Sequence, residues 1–275
     1  MSSADKRKVS PFLRLAAGCL LAALALLGGC AGTAGPGIGS DDTVVPKSAN
    51  DSEQRRRARI RLELAAGYYQ QKNYSVALDE LRQALTIDPN YAAAYGMLGL
   101  VYMSLREDSK AEQSFAQGLK LMPDSAELNN NYGWYLCSRG KFEASITYFE
   151  KALKDPLYQT PSRALHNAGI CMRRAGDDKR AQRYLLRAFQ IDATNPVAMY
   201  NLAEIYLKQK DLDRAHFYAQ RLVTSHPATA RTLWLALRVQ RARGDRDGEA
   251  SLATQLRRRF PGSPEADLLS QGRFD

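Results

Sequence analysis

The chain has 275 residues, a formal net charge of +10 and 45% hydrophobic residues, a length that admits one large core or a repeat array. The basic balance suits a partner or surface that carries acidic groups. The three histidines are scattered, and there is no Gly-rich phosphate loop, zinc-ligand spacing, CxxC pair or nucleophile elbow, so no catalytic residue, metal or cofactor is expected.

Lys6, Arg7, Lys8 and Arg14 precede or flank an uncharged apolar stretch, Leu15 to Leu27, of 13 residues. A bilayer-spanning helix needs about 20 such residues, so residues 1–29 read as a signal peptide. The run Leu26-Leu27-Gly28-Gly29-Cys30 resembles a bacterial lipobox, in which the cysteine is acylated and becomes the mature N-terminus. An ordinary cleaved signal and a short N-terminal anchor are the alternatives. The lipobox resemblance implies three acyl chains on Cys30, which anchor stably where a single chain holds only marginally. Ala31 stands where an Asp would favour inner-membrane retention, which implies an outer-membrane, lipid-anchored protein on the periplasmic face. Residues 30–54 are expected to be a flexible linker, with Gly32, Gly35, Pro36, Gly37, Gly39, Ser40, Pro46 and Ser48 and few large apolar side chains; its root-mean-square reach is about 26 Å. Arg55, Arg56, Arg57, Arg59 and Arg61 follow, either as a solvated helix face or as a contact with anionic headgroups.

From Arg55 to Pro261 the chain is helical and periodic. Ala65, Gly99, Gly133, Gly169 and Ala203 recur at spacings of 34, 34, 36 and 34. Twelve residues after each stands another small residue (Ala77, Ala111, Ser145, Ala181, Ala215), and four further on stand Leu81, Phe115, Phe149, Leu185 and Ala219. This period is the signature of tetratricopeptide repeats, pairs of antiparallel helices A and B that stack because no single pair can bury its apolar face. Gly inside a helix costs about 1 kcal/mol relative to Ala; a close A–B crossing at the small residues explains why it is tolerated. The expected fold is all-α, a right-handed superhelical tetratricopeptide-repeat solenoid of about six helix pairs. Repeats are assigned to residues 58–91, 92–125, 126–159, 162–195 and 196–229, with a degenerate, arginine-rich capping pair at 230–261. The junction Lys154 to Pro161 is two residues longer than the others and predicts a bulged loop. The tail, 262–275, is expected to form a short helix through Glu265 to Leu269 and then fray.

Solenoids of this kind usually bind a peptide along the face lined by their A helices. Asn131, Asn167 and Asn201 recur at one position of three successive A helices. An amide side chain both donates and accepts, so such a ladder can hold a peptide backbone without reading its sequence; the alternative is that these amides only bond to neighbouring helices. Trp134, Ile170, Arg173, Arg174 and Lys208 complete the candidate groove, a composition that resembles an interface. Trp134 is either an anchor for a partner or packing against the next repeat. Cys19 leaves with the signal, so Cys137 and Cys171 remain. They fall near equivalent positions of adjacent A helices, and facing positions there can meet the roughly 7 Å Cα limit of a disulfide. In an oxidising compartment a bridge and two buried free thiols are both open.

The runs Asn129-Asn130-Asn131-Tyr132-Gly133-Trp134-Tyr135-Leu136-Cys137 and Gln255 to Glu265, with the lipobox and six repeats, resemble the type IV pilus biogenesis and stability lipoproteins, the pilotins of that system. The resemblance implies a non-enzymatic protein that binds secretin subunits and promotes their outer-membrane localisation and assembly. It implies no nucleic-acid partner and no small-molecule substrate. Another periplasmic repeat lipoprotein, serving outer-membrane protein insertion, cell-wall synthesis or protease delivery, is the nearest alternative; an enzyme hidden in the scaffold and a cytoplasmic scaffold are more distant ones.

Overall fold

The computed structural model describes residues 52–274. The expected signal peptide, Cys30 and residues 31–51 of the linker lie outside the described residues. Thirteen α-helices and no strand make up the described residues. They are α1 (Glu53–Gln70), α2 (Tyr74–Ile87), α3 (Ala92–Ser104), α4 (Asp108–Leu121), α5 (Ala126–Ser138), α6 (Phe142–Ala152) and α7 (Pro161–Arg174). Then follow α8 (Asp178–Ile191), α9 (Pro196–Lys208), α10 (Leu212–Ser225), α11 (Ala230–Arg243), α12 (Arg246–Arg259) and α13 (Pro264–Ser270). Odd- and even-numbered helices from α1 to α12 pair as six hairpins, each A helix packing on the B helix that follows it.

Local chemistry sets the helix ends. Ser52, Ser125, Asp177, Asn195, Asp211, Thr229, Asp245 and Ser263 each accept a backbone N–H from the first turn of the helix they precede, which satisfies a donor that has no intrahelical partner. Pro161, Pro196 and Pro264 open α7, α9 and α13, where a missing N–H costs nothing. Because Ser52 caps α1, the helix begins at Glu53, inside the stretch expected to be linker. Each A–B turn needs a residue with positive φ. Gly140, Gly176 and Gly244 supply it in three hairpins, while Lys72, Arg106 and Lys210 hold it at φ 59–60° in the others.

The small-residue crossings lie where the period places them. A Cβ on Gly99 would sit 2.6 Å from the Phe115 ring, one on Gly133 2.9 Å from Phe149, and one on Gly169 2.5 Å from Leu185. Ala65 and Ala203 take the equivalent places in the first and fifth hairpins, fully buried. Phe115, Phe149, Leu81 and Leu185 are fully buried too; each contributes about 1.5–3 kcal/mol through burial. The long junction is residues 153–160 between α6 and α7, where the other B-to-A junctions, such as 88–91, have four residues. Its Leu157 is exposed, and its Tyr158 turns inward to pack with Ala126, Ala152 and Ala164. Cys137 of α5 and Cys171 of α7 form a disulfide with their Cα atoms 5.7 Å apart.

The end of the chain corrects the expectation of fraying. After α13, Gly272 adopts φ +66° and the N–H of Arg273 donates to the Leu268 carbonyl. This turn sends Phe274 back onto α11, where its ring stacks on Trp234 with centroids 5.4 Å apart.

Candidate peptide-docking groove

The backbones of successive A helices come close together, from α1–α3 through α9–α11, whereas those of successive B helices stay farther apart and are bridged by long side chains such as Arg180 to Glu143, Tyr184 to Glu150 and Phe189 to Tyr218. The A helices are therefore the closer-spaced row, and the concave side of the stack is theirs. Along it the equivalent positions read Gly96, Asn130, His166, Tyr200 and Trp234; then Met97, Asn131, Asn167, Asn201 and Leu235; then Leu100, Trp134, Ile170, Glu204 and Arg238.

The structure brings the predicted asparagines together through their neighbours. Asn130 Nδ2 donates to Asn131 Oδ1 at 3.3 Å, and Asn167 Nδ2 donates across the helix gap to Asn130 Oδ1 at 3.1 Å. Asn201 Nδ2 donates to the Val197 carbonyl at 2.8 Å, and Arg173 Nη1 donates to Asn201 Oδ1 at 2.6 Å. Interhelix bonding is thus realised at Asn167 and Asn201. All three ladder residues remain half-buried, and an amide has four hydrogen-bonding capacities, so these bonds orient the ladder without using it up.

Trp134 is half-buried and packs against the core that begins at Cys137. Ile170 is half-buried and Arg174 exposed. Lys208 turns away from the trough, its Nζ 2.5 Å from Asp178 Oδ2 at the start of α8. His166, which lies among the groove positions, pairs through Nδ1 with Asn195 at 2.9 Å, a structural engagement.

Sequence reasoning missed how far the polar row extends. Glu204 is the hub: Arg173 approaches its carboxylate at 3.8 Å, Arg238 at 3.2 Å, and Tyr200 Oη at 3.4 Å. Arg231 lies over the Tyr200 ring, 4.5 Å from its centroid. Burial, aided by the nearby Glu204 carboxylate, raises the Tyr200 phenol above its ordinary pKa, so it stays a neutral donor. Arg173, Arg231 and Arg238 around one carboxylate leave this half of the groove positive. The signal was available, since adding one period to Glu204 gives Arg238, but α11 reads as a terminal cap in sequence. Among the described residues no group of His, Cys, Asp and Glu could hold a metal ion, and no helix is long and apolar enough to cross a membrane.

Stacked hairpins with small-residue crossings and a polar concave row define a tetratricopeptide-repeat protein. The family description "Tetratricopeptide repeat" matches residues 92–125 and 200–264, "TPR repeat" matches 67–105, and "SusR N-terminal TPR domain" matches 110–224. The chain is 29% identical over 204 residues to the type IV pilus assembly protein PilF of Pseudomonas aeruginosa, covering 74% of this chain and 81% of that protein. The crystal structure of PilW, a widely conserved type IV pilus biogenesis factor, matches with TM-score 0.70 and 34% identity over 77% of this chain and 97% of that one. A solved structure of Pseudomonas aeruginosa PilF matches with TM-score 0.72 and 27% identity over 80% and 100%. The chain belongs to the family of tetratricopeptide-repeat type IV pilus biogenesis proteins that includes PilW and PilF.

Proposed function

We propose that this pilus biogenesis protein is a non-catalytic adaptor that captures secretin subunits in its concave groove while acyl chains on Cys30 hold it at the outer membrane. The observation that carries the reading is the half-buried polar row from Asn131 through Asn167, Asn201 and Glu204, pre-oriented by interhelix bonds. Such a row presents fixed amides and guanidinium groups to the carbonyls and N–H groups of an extended segment, at little ordering cost to the protein. The tether supplies the second half of the mechanism: confining one partner to a surface raises the effective concentration of the other encounter.

Replacing Asn131, Asn167 and Asn201 together with Ala tests the groove. Secretin recovered by pull-down from envelope extracts should fall at least about tenfold, the effect of losing roughly 1.4 kcal/mol of binding, with helical content retained. Undiminished recovery rejects the groove. Cys30→Ala tests the tether separately: secretin rings should be depleted from the outer membrane, and unchanged rings reject lipid anchoring as the address.

A further inference from the structure

The last hairpin carries a feature that the amide ladder does not explain. Phe274 lies in a three-sided cradle on the concave side of α11. Its ring stacks on Trp234 at an interplanar angle of 17°, the Arg241 guanidinium lies 3.8 Å from its centroid on the ring, and Arg238 Nε donates to its carbonyl at 3.1 Å. A ring in contact with an indole and a guanidinium, with its backbone carbonyl held by a second guanidinium, is a geometry by which a groove can grip an aromatic residue of an extended segment.

Each wall of the cradle also has a partner in the solenoid besides Phe274, Arg241 bonding to Glu249 at 2.7 Å. Trp234 is buried in the main core, and Arg238 also bonds to Glu204, the hub of the polar row. Phe274 itself is only half-buried. It reaches the cradle through a four-residue return whose one αL residue is Gly272.

We propose that Trp234, Arg238 and Arg241 form a binding site for an aromatic side chain on an extended partner segment, and that Gln271–Phe274 is its displaceable internal occupant. When the segment lifts, the site becomes continuous with Glu204 and Asn201, so one extended chain can run from the ladder into the cradle. The inference rests on the concave face being the docking surface. It names the residue type that the end of that surface selects.

The test uses the full chain and a synthetic peptide of residues 270–275, Ser-Gln-Gly-Arg-Phe-Asp, followed by calorimetry. Phe274→Ala empties the site and should bind the peptide at least about tenfold more tightly than the wild type, whose own segment competes. Gly272→Ala leaves the cradle untouched but strains the return, because an L side chain disfavours that φ; it should also bind more tightly than wild type. A peptide with Phe replaced by Ala should not bind, and adding Arg241→Ala to Phe274→Ala should cost several-fold in affinity. Equal binding by wild type and both opened variants, no binding to either opened variant, or indifference to Arg241→Ala overturns the proposal. Because the probe is a peptide and not the secretin, failure here leaves the asparagine test standing, and failure of that test leaves this one standing.

Discussion

The first two hairpins and the last three use one backbone plan and present opposite surfaces. At equivalent groove positions α3 carries Gly96, Met97 and Leu100, while α9 carries Tyr200, Asn201 and Glu204. Gly96 lets the neighbouring repeat come so near that a Cβ there would sit 2.4 Å from Leu128 Cδ2, so the α3 side of the trough is filled by packing. From α7 to α11 the same positions carry a bonded polar row. Their interiors differ as well. The first region has its own apolar cluster, from Ala58 to Val101. The second shares one that runs from Cys137 to Leu269 and includes the disulfide. What folds the solenoid is the crossing of small and large residues between A and B; the groove positions lie outside that crossing and are free to vary in chemistry along the stack.

Three experiments would break or sharpen this contrast. The largest effect should come from Cys137→Ala with Cys171→Ala. The disulfide closes a loop with a sequence separation of 34, and its loss should cost about 3–4 kcal/mol. In a solenoid only neighbours couple, so the loss should fall on the second region. Both tryptophans report on that region's core, Trp134 packing against it from α5 and Trp234 lying within it on α11; the urea midpoint by fluorescence should therefore drop further than the midpoint by far-ultraviolet circular dichroism. Coincident shifts would show that the two regions unfold as one unit.

Glycine substitutions give the next effect, with opposite signs. Gly99→Ala drives a methyl into the Phe115 ring and should destabilise by about 1–3 kcal/mol. Gly67→Ala, in α1 with nothing beyond its own stretch of helix within 4 Å of the added Cβ, should stabilise by up to about 1 kcal/mol through helix propensity. Denaturant titration reads both, and equal effects would reject the crossing argument.

The smallest effect should be a pH dependence confined to the second region. Burial, then the positive charge of Arg243, lowers the His216 pKa. As pH falls through about 6.5 the unfolded chain takes up the proton first, so stability is full above that value and declines below it. His216→Gln should flatten the decline, and an unchanged slope would assign it elsewhere.

The crossing residues were legible in the sequence because Gly99, Gly133 and Gly169 pay for themselves only where two helices touch, and a fixed period exposes that. The recurrence of Asn131, Asn167 and Asn201 at one position of successive A helices was legible from the same period. Their partners were not: which amide reaches Asn130 or Arg173 depends on the offset between successive hairpins, which no single repeat encodes. Lys208 shares the period yet turns to Asp178 because a long cationic side chain follows the nearest carboxylate. Phe274 escaped because a polar tail with one aromatic residue looks unstructured until Gly272 is seen to reverse it toward Trp234. Lys72, Arg106 and Lys210 hid the A–B turns, since left-handed backbone normally announces itself with glycine.

The bridge between α5 and α7 also has a mechanical meaning. A stack of hairpins behaves like a spring whose compliance sits at its joints, and this bond clamps one joint covalently, beside the longest junction in the coil. Under tension the clamped joint keeps its pitch, and elongation passes to the joints on either side.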